Sequence, residues 1–200
     1  MSADRRERAD AVRNRRAILA ATEELLATHR PQDISMEQVA VAAGVVKGTV
    51  FHRFGNRTGL MLALMMERAR ALNEAVTAGP PPLGPGAPDR DRLLAFLDAM
   101  VEVVSRNKGL LAELAHSGAM ESPSADKGGT PGDDHPVYWF WHGHISALIA
   151  SQRPDADADT IAHVLLGALH SEPVLAQLAA DGPRRLAATM RSLACGMLDA

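Results

Sequence analysis

Between Ser35 and Asn56 the chain reads SMEQVAVAAGVVKGTVFHRFGN, and its punctuation leaves few folds open. Ser35-Met36-Glu37-Gln38 fits a capping box, in which the serine hydroxyl accepts from the Gln38 amide and the glutamine side chain reaches back. Ile34 just before and Val39 just after fit the hydrophobic staple that accompanies such a box. The helix begun there stops near Ala43, because Gly44 suits the left-handed backbone that ends a helix. Val50, Phe51 and Phe54 return to helical spacing within a few residues, and Gly55-Asn56 breaks that second helix before Asn56 caps another. Two short helices joined by so tight a glycine-containing turn make a helix-turn-helix.

Helical periodicity continues on both sides. Val12, Ile18, Leu19, Thr22, Leu25 and Leu26 predict a first helix over about residues 10–28, and a long fourth helix runs from Asn56 to about Ala78. GPPPLGPGAP, residues 79–88, admits no helix and reads as a linker. Leu93, Phe96, Leu97, Met100, Val101 and Val104 give a fifth helix, and residues 108–118 a sixth. Residues 121–135, polar and rich in Gly and Pro, predict a long mobile loop. A seventh helix starts near Pro136, an eighth spans about 157–172 with prolongation or a kink past Pro173, and a last one follows Asp181-Gly182-Pro183 to about Leu198. No segment reads as a strand, so the expected fold is all-α. The expected domains are residues 1–56, a helix-turn-helix module, and 57–200, in which 57–78 connect and 79–88 link.

Charge is unevenly spread. Residues 1–60 hold ten Lys and Arg against seven Asp and Glu, the remainder eleven against seventeen. A mildly basic N-terminal third on an acidic body points to two regions with two roles. The single cysteine, Cys195, forms no internal disulfide, which suits a reducing cytoplasm. MSADRRERAD lacks the apolar core of a signal peptide, and the most apolar run, Leu60–Met66, is too short to span a bilayer, so no membrane partner is expected.

The second helix of a helix-turn-helix lies in the DNA major groove. Val45, Val50 and Phe54 would then pack inward, and Lys47, Thr49, His52 and Arg53 would face DNA or its flanks. Gly48 lets backbone approach the duplex, and Arg57, in the first turn of the fourth helix, reaches a phosphate. Ser35 completes this expected contact set. Arg5, Arg6, Arg8, Arg13, Arg15 and Arg16 either add phosphate and minor-groove contacts or form a solvated terminus.

SMEQVAVAAGVVKGTVFHRFGNRTGL resembles the DNA-binding signature of the tetracycline-repressor (TetR) family, with matches running from about Val12 to Leu64. The resemblance rests on the capped second helix, the AGV turn, the Lys-Gly-Thr opening of the recognition helix, the aromatic pair and the basic residue opening the fourth helix. It implies an all-α homodimer whose N-terminal domains bind a palindromic operator in double-stranded DNA. Its C-terminal domains would dimerise and hold a small-molecule effector that releases the DNA. Two positions depart from the pattern. Val46 stands where Ser or Thr usually caps the recognition helix, a loss of roughly 1 kcal/mol. Phe51 stands where Tyr usually offers a hydroxyl to a phosphate.

The most unusual stretch is HPVYWFWHGHISAL. On a helix Val137, Trp141, His144 and Leu148 share one face, with Phe140 and Ile145 beside it and Tyr138 joining through Trp141. With Phe96, Met100 and Val104 opposite, this makes a wall for an apolar or aromatic ligand, or else a plain core with aromatic filler. His144 or His170 would donate to such a ligand. His142 and His144 are two apart and point to different sides of a helix, while His163 and His170 share a face seven apart. With Cys195 as the sole thiol, neither metal nor cofactor is expected. Ile161, Val164 and Ala168 on the eighth helix, with Leu186, Met190, Leu193 and Met197 on the last, suit a dimeric four-helix interface.

The expected function is a homodimeric repressor. The rivals are a helical assembly protein without sequence-specific DNA binding, and a helical enzyme using the His/Tyr/Trp-rich helix. Against an enzyme, the sequence has no nucleophile elbow, phosphate-binding glycine loop, His-Glu-x-x-His pair or paired cysteines, and no carboxylate on its own helix completes a triad for Ser146.

Overall fold

The computed structural model describes residues 2–116, 136–169 and 171–200. Among them lie nine α-helices, a short 3-10 turn at Pro31–Asp33, and no strand, so the protein is all-α. The helices are α1 (Ser2–Leu26), α2 (Met36–Ala42), α3 (Lys47–Phe54), α4 (Arg57–Ala78), α5 (Asp89–His116), α6 (Pro136–Gln152), α7 (Ala158–Ala168), α8 (Glu172–Asp181) and α9 (Pro183–Leu198). The loop expected at residues 121–135 lies outside the described residues.

Two expected boundaries are corrected. The fifth and sixth helices are one, α5, which runs unbroken from Asp89 to His116. Arg106-Asn107-Lys108-Gly109 holds no proline, and one glycine weakens a helix by about 1 kcal/mol without ending it. Conversely, the expected eighth helix is two. Leu169 ends α7, and α8 begins at Glu172 with a proline in its first turn. Pro173 has no N–H and its ring would clash with the carbonyl four residues back, so it sits where a first turn tolerates it.

The chain forms two compact units: Met1–Glu67 with Gly109–Glu121, and Arg68–Lys108 with Ser122–Ala200. Helices α4 and α5 each contribute to both. The first unit is built on α1, α2, α3 and the start of α4. Ile18, Val39, Val50, Phe54, Leu60 and Met61 form its core. Thr22 is buried beside them at no hydrogen-bonding cost, since its hydroxyl donates to the Ile18 carbonyl at 2.8 Å. Ile34 and Val39, the two ends of the staple, are both buried.

In the second unit Leu93, Phe96, Leu97, Met100 and Val101 recur at helical spacing along α5 and are all fully buried. They pack with Trp141, Ile145 and Ile149 of α6, Ala162 and Leu166 of α7, and Met190 and Ala194 of α9. Polar ties lie around this core. The Trp141 indole donates to Asn73 at 2.8 Å, and Arg90 of α5 clasps Asp199 at 2.5 and 3.0 Å. Asp157 caps α7 by accepting from the Thr160 amide at 3.1 Å.

Candidate nucleic-acid interface

The turn between α2 and α3 is built from backbone bonds. Ser35 caps α2: its hydroxyl accepts from the Gln38 amide at 3.1 Å, and its own amide donates to the Gln38 side chain at 2.7 Å. At the other end Gly44 takes φ +64°, a left-handed value that L side chains rarely adopt. Its amide donates to the Val41 carbonyl at 3.2 Å, and the Val45 amide donates to the Ala40 carbonyl at 3.0 Å. That crossed pair is a Schellman motif, which closes α2 and reverses the chain within three residues. α3 then starts at Lys47, with Val50 and Phe54 buried against the first core.

The opposite face of α3 carries the expected contacts. Lys47, Gly48 and His52 are exposed, Thr49 and Arg53 half-buried. A Cβ added to Gly48 would meet nothing within 4 Å, so no neighbour in the chain demands glycine there. Lys47 is ion-paired with Glu37 of α2 and lies over the Phe51 ring, 5.4 Å from its centroid. The hydrogen bond from Lys47 holds the Glu37 carboxyl below the usual carboxylate range. This acidic partner of Lys47 is a contact that sequence reading missed, and a spacing of ten residues gave no signal for it. The Nε of Arg53 is shielded from water and has no hydrogen-bond partner.

Val46 occupies the N-cap of α3 with extended backbone and no side-chain bond to the helix, and its side chain is 74% exposed. The Thr49 amide falls back on the Val46 carbonyl at 2.9 Å. At the far end of α3, Asn56 caps α4 by accepting from the Gly59 amide at 2.8 Å. Gly59 is required by space: a Cβ there would sit 2.1 Å from the Phe54 carbonyl oxygen. Arg57 sends its guanidinium back to the Gln32 carbonyl at 2.8 Å, bracing the approach to α2. Arg13 pairs with Asp10 at 2.7 Å and Arg15 lies over the Phe54 ring at 5.4 Å. The side chains of Arg5, Arg6 and Arg8 lie outside the described residues.

Residues 18–64, which span this whole arrangement, match the model of the bacterial regulatory proteins of the tetR family. Over this segment the chain is similar to the tetR family. What the segment shares with those regulatory proteins is the helix-turn-helix arrangement. Solved structures extend the likeness of fold to nearly the full chain. A TetR transcriptional regulator of Streptomyces coelicolor is 22% identical, covers 92% of this chain and 96% of its own, and superposes with a TM-score of 0.59. The fatty acid degradation regulator FadR of Bacillus halodurans is 16% identical over 92% and 94%, with a TM-score of 0.58. FadR of Bacillus subtilis, solved with stearoyl-CoA, is 14% identical over 92% and 95%, with a TM-score of 0.52. No curated protein matches the sequence.

The residues of the other expected sites lie in the second unit. Phe96 meets Trp141 and His144 edge-on, at 6.1 and 4.9 Å between ring centroids, while Met100 and Leu148 are buried and Val104 half-buried in the same cluster. Desolvation drives the His144 pKa down to about 4, with Arg92 nearby adding to it, and its Nε2 is buried without a partner. Tyr138 packs against the same cluster, and its hydroxyl lies 2.6 Å from His163 Nδ1. His170 lies outside the described residues. Of the expected dimer residues, Val164 and Leu193 are 65% and 60% exposed. With Ile161, Leu165 and Met197 they line a groove of about 270 Å³ between α7 and α9. A second groove, about 340 Å³, continues along α8 and α9 past Ala168, Leu186 and Met190.

No helix among the described residues is long and apolar enough to cross a membrane.

Proposed function

We propose that the chain acts as a homodimeric repressor that binds a palindromic operator and leaves it when a small apolar ligand binds the second unit. The observation that carries this reading is the apolar face on α7 and α9, where Val164 and Leu193 stand in water. An exposed patch of this kind marks an interaction surface. One helix-turn-helix reads one half-site, and a two-fold partner supplies the second recognition helix about one DNA turn away, roughly 34–36 Å, or a multiple of it. A second copy of the chain, laying the same face against itself, satisfies both needs.

Lys47, Gly48, Thr49, His52 and Arg53 then read or grip the major groove, with Ser35 and Arg57 at its edges. Phe96, Met100, Val104, Trp141, His144 and Leu148 would open to admit the ligand, and the unpaired Nε2 of His144 would meet its polar group. The same fold in Bacillus subtilis FadR takes up stearoyl-CoA, so an acyl chain is a sensible first probe class. Ligand and operator oppose each other through one equilibrium, and their coupling is reciprocal.

The test is selection from randomised duplex DNA, with the protein and its Val164→Glu/Leu193→Glu variant. The expected result is a palindromic consensus for the wild type, and a monomeric variant that loses it. Sedimentation as a monomer by the wild type at working concentration, or full operator affinity in the double variant, would overturn the dimer. If a panel of acyl-CoAs, fatty acids and aromatic compounds at saturation all left operator affinity unchanged, ligand release would fall while DNA binding stood.

A further inference from the structure

His142 on α6 and Asp159 and His163 on α7 come together within the second unit. One ligand atom from each lies within 4.8 Å of the others, which makes them a cluster of metal-ligating type among the described residues. The Nε2 of His142 is 3.5 Å from one Asp159 carboxylate oxygen, and the Nε2 of His163 is 3.9 Å from the other. The two imidazoles face each other with centroids 4.1 Å apart. We propose that these three side chains bind a divalent first-row transition-metal ion with the preferences of zinc.

Three features carry the assignment. The first is distance. Bonds of about 2.0–2.2 Å in a tetrahedral shell put neighbouring ligand atoms roughly 3.3–3.6 Å apart. The separations of 3.5 and 3.9 Å from Asp159 therefore need contractions of about 0.6 Å or less, the histidine pair, within 4.8 Å, about 1.5 Å at most, and Asp159, whose side chain is 75% exposed, has room to swing.

The second is orientation. The Tyr138 hydroxyl, 2.6 Å from His163 Nδ1, fixes that ring. With Nδ1–H donating to the tyrosine oxygen, the Nε2 lone pair faces the carboxylate, the outer-sphere arrangement that metal-bound histidines use. The ring of His142 is buried, with its Nε2 3.2 Å from the Asp159 carbonyl oxygen. It would release that contact and present its lone pair in the Nδ1–H tautomer.

The third is donor chemistry. Two imidazoles and one carboxylate suit zinc, cobalt, nickel or copper, whereas magnesium and calcium take shells of six or more oxygens. Three protein ligands leave a fourth position for water. An ion held this way ties α6 to α7.

Trp139 supplies the readout, since its ring stands edge-on to His142 and His163 at 5.4 and 5.8 Å. The full-length protein, purified without a polyhistidine tag, is titrated with Zn²⁺ by calorimetry and with Co²⁺ by visible absorption. Trp139 emission is followed in a Trp141→Phe background, which leaves a single tryptophan. The expected outcome is one ion per chain, an intense tetrahedral Co²⁺ spectrum and quenching of Trp139 by Co²⁺. His163→Gln, a change at a half-exposed position, and Asp159→Asn should each weaken Zn²⁺ binding at least tenfold with unchanged circular dichroism. Tyr138→Phe should weaken it about 10–100-fold, as loss of an outer-sphere partner does. His29→Ala and His52→Ala should leave it unchanged. Full affinity in His163→Gln and Asp159→Asn would overturn the assignment, as would a pale octahedral Co²⁺ spectrum without quenching. None of these readouts depends on DNA, so failure here leaves the operator reading intact.

Discussion

Val46→Ser isolates the missing cap of the recognition helix. Lys47, Gly48 and Thr49 open α3 with no side-chain acceptor, and Gly48 adds the backbone freedom that weakens a first turn. Serine at this position would place its hydroxyl oxygen on the Gly48 or Thr49 amide. The Thr49 amide already donates to the Val46 carbonyl at 2.9 Å, so part of the gain is already taken. Little is lost with the valine, because its side chain is 74% exposed. The balance is a stabilisation of about 0.5–1 kcal/mol, toward the low end of the cap range. For a chain of this length that raises the melting temperature by about 1–4 °C. If the uncapped turn frays in the protein without DNA, capping also pre-organises it and tightens operator binding by up to about fivefold per recognition helix. Thermal melts by circular dichroism read the first effect, hydrogen exchange at the Lys47, Gly48 and Thr49 amides localises it, and fluorescence anisotropy with operator DNA reads the second. A melting temperature that stays level or falls, with no added protection at those amides, would refute the reasoning.

Other changes separate structural from functional roles. Gly48→Ala should stabilise the protein by about 0.5–1 kcal/mol, since the Cβ has open space, yet weaken operator binding because the methyl stands on the face proposed to meet DNA; melts and anisotropy at one salt concentration give the two signs. Glu37→Gln should release Lys47 to a phosphate, tightening binding severalfold and steepening the log–log salt dependence by about 0.9, as a titration in potassium chloride would reveal. His144 titrates near 4 in the folded chain and near 6.5 unfolded, so between those values the unfolded state binds more protons and stability falls as pH drops. The full shift corresponds to about 2 kcal/mol between pH 7 and pH 5, cut to about 1 kcal/mol because the ring keeps partial exposure to water. Urea melts at the two pH values should show this loss, and His144→Phe should remove it.

Much of the N-terminal unit was legible before any coordinates. The Ser35 box, the Ile34/Val39 staple, the left-handed Gly44 and the Asn56 cap all act between residues at most five apart, so the sequence displays both partners of each bond at once. The buried stripe on α5 was equally plain, because a 3.6-residue period repeats along one helix. Helix ends without such signals were less so. Nothing local distinguishes a weak spot at Gly109 from a terminus, and the break before Pro173 depends on where its ring finds room.

What the sequence by itself determined is therefore the all-α class, the helix-turn-helix and the side chains on its outer face, since these follow from short-range bonding and periodicity. Tertiary structure decided which distant groups meet. Lys47 spends its charge on Glu37, Arg57 reaches back to Gln32, the Tyr138 hydroxyl meets His163, and His142 joins Asp159 and His163 across two helices. In the chain those last partners are marked only by Asp159 and His163 standing four apart on α7. The third ligand comes from another helix, and its place depends on how α6 packs on α7, a relation that no interval along the sequence encodes.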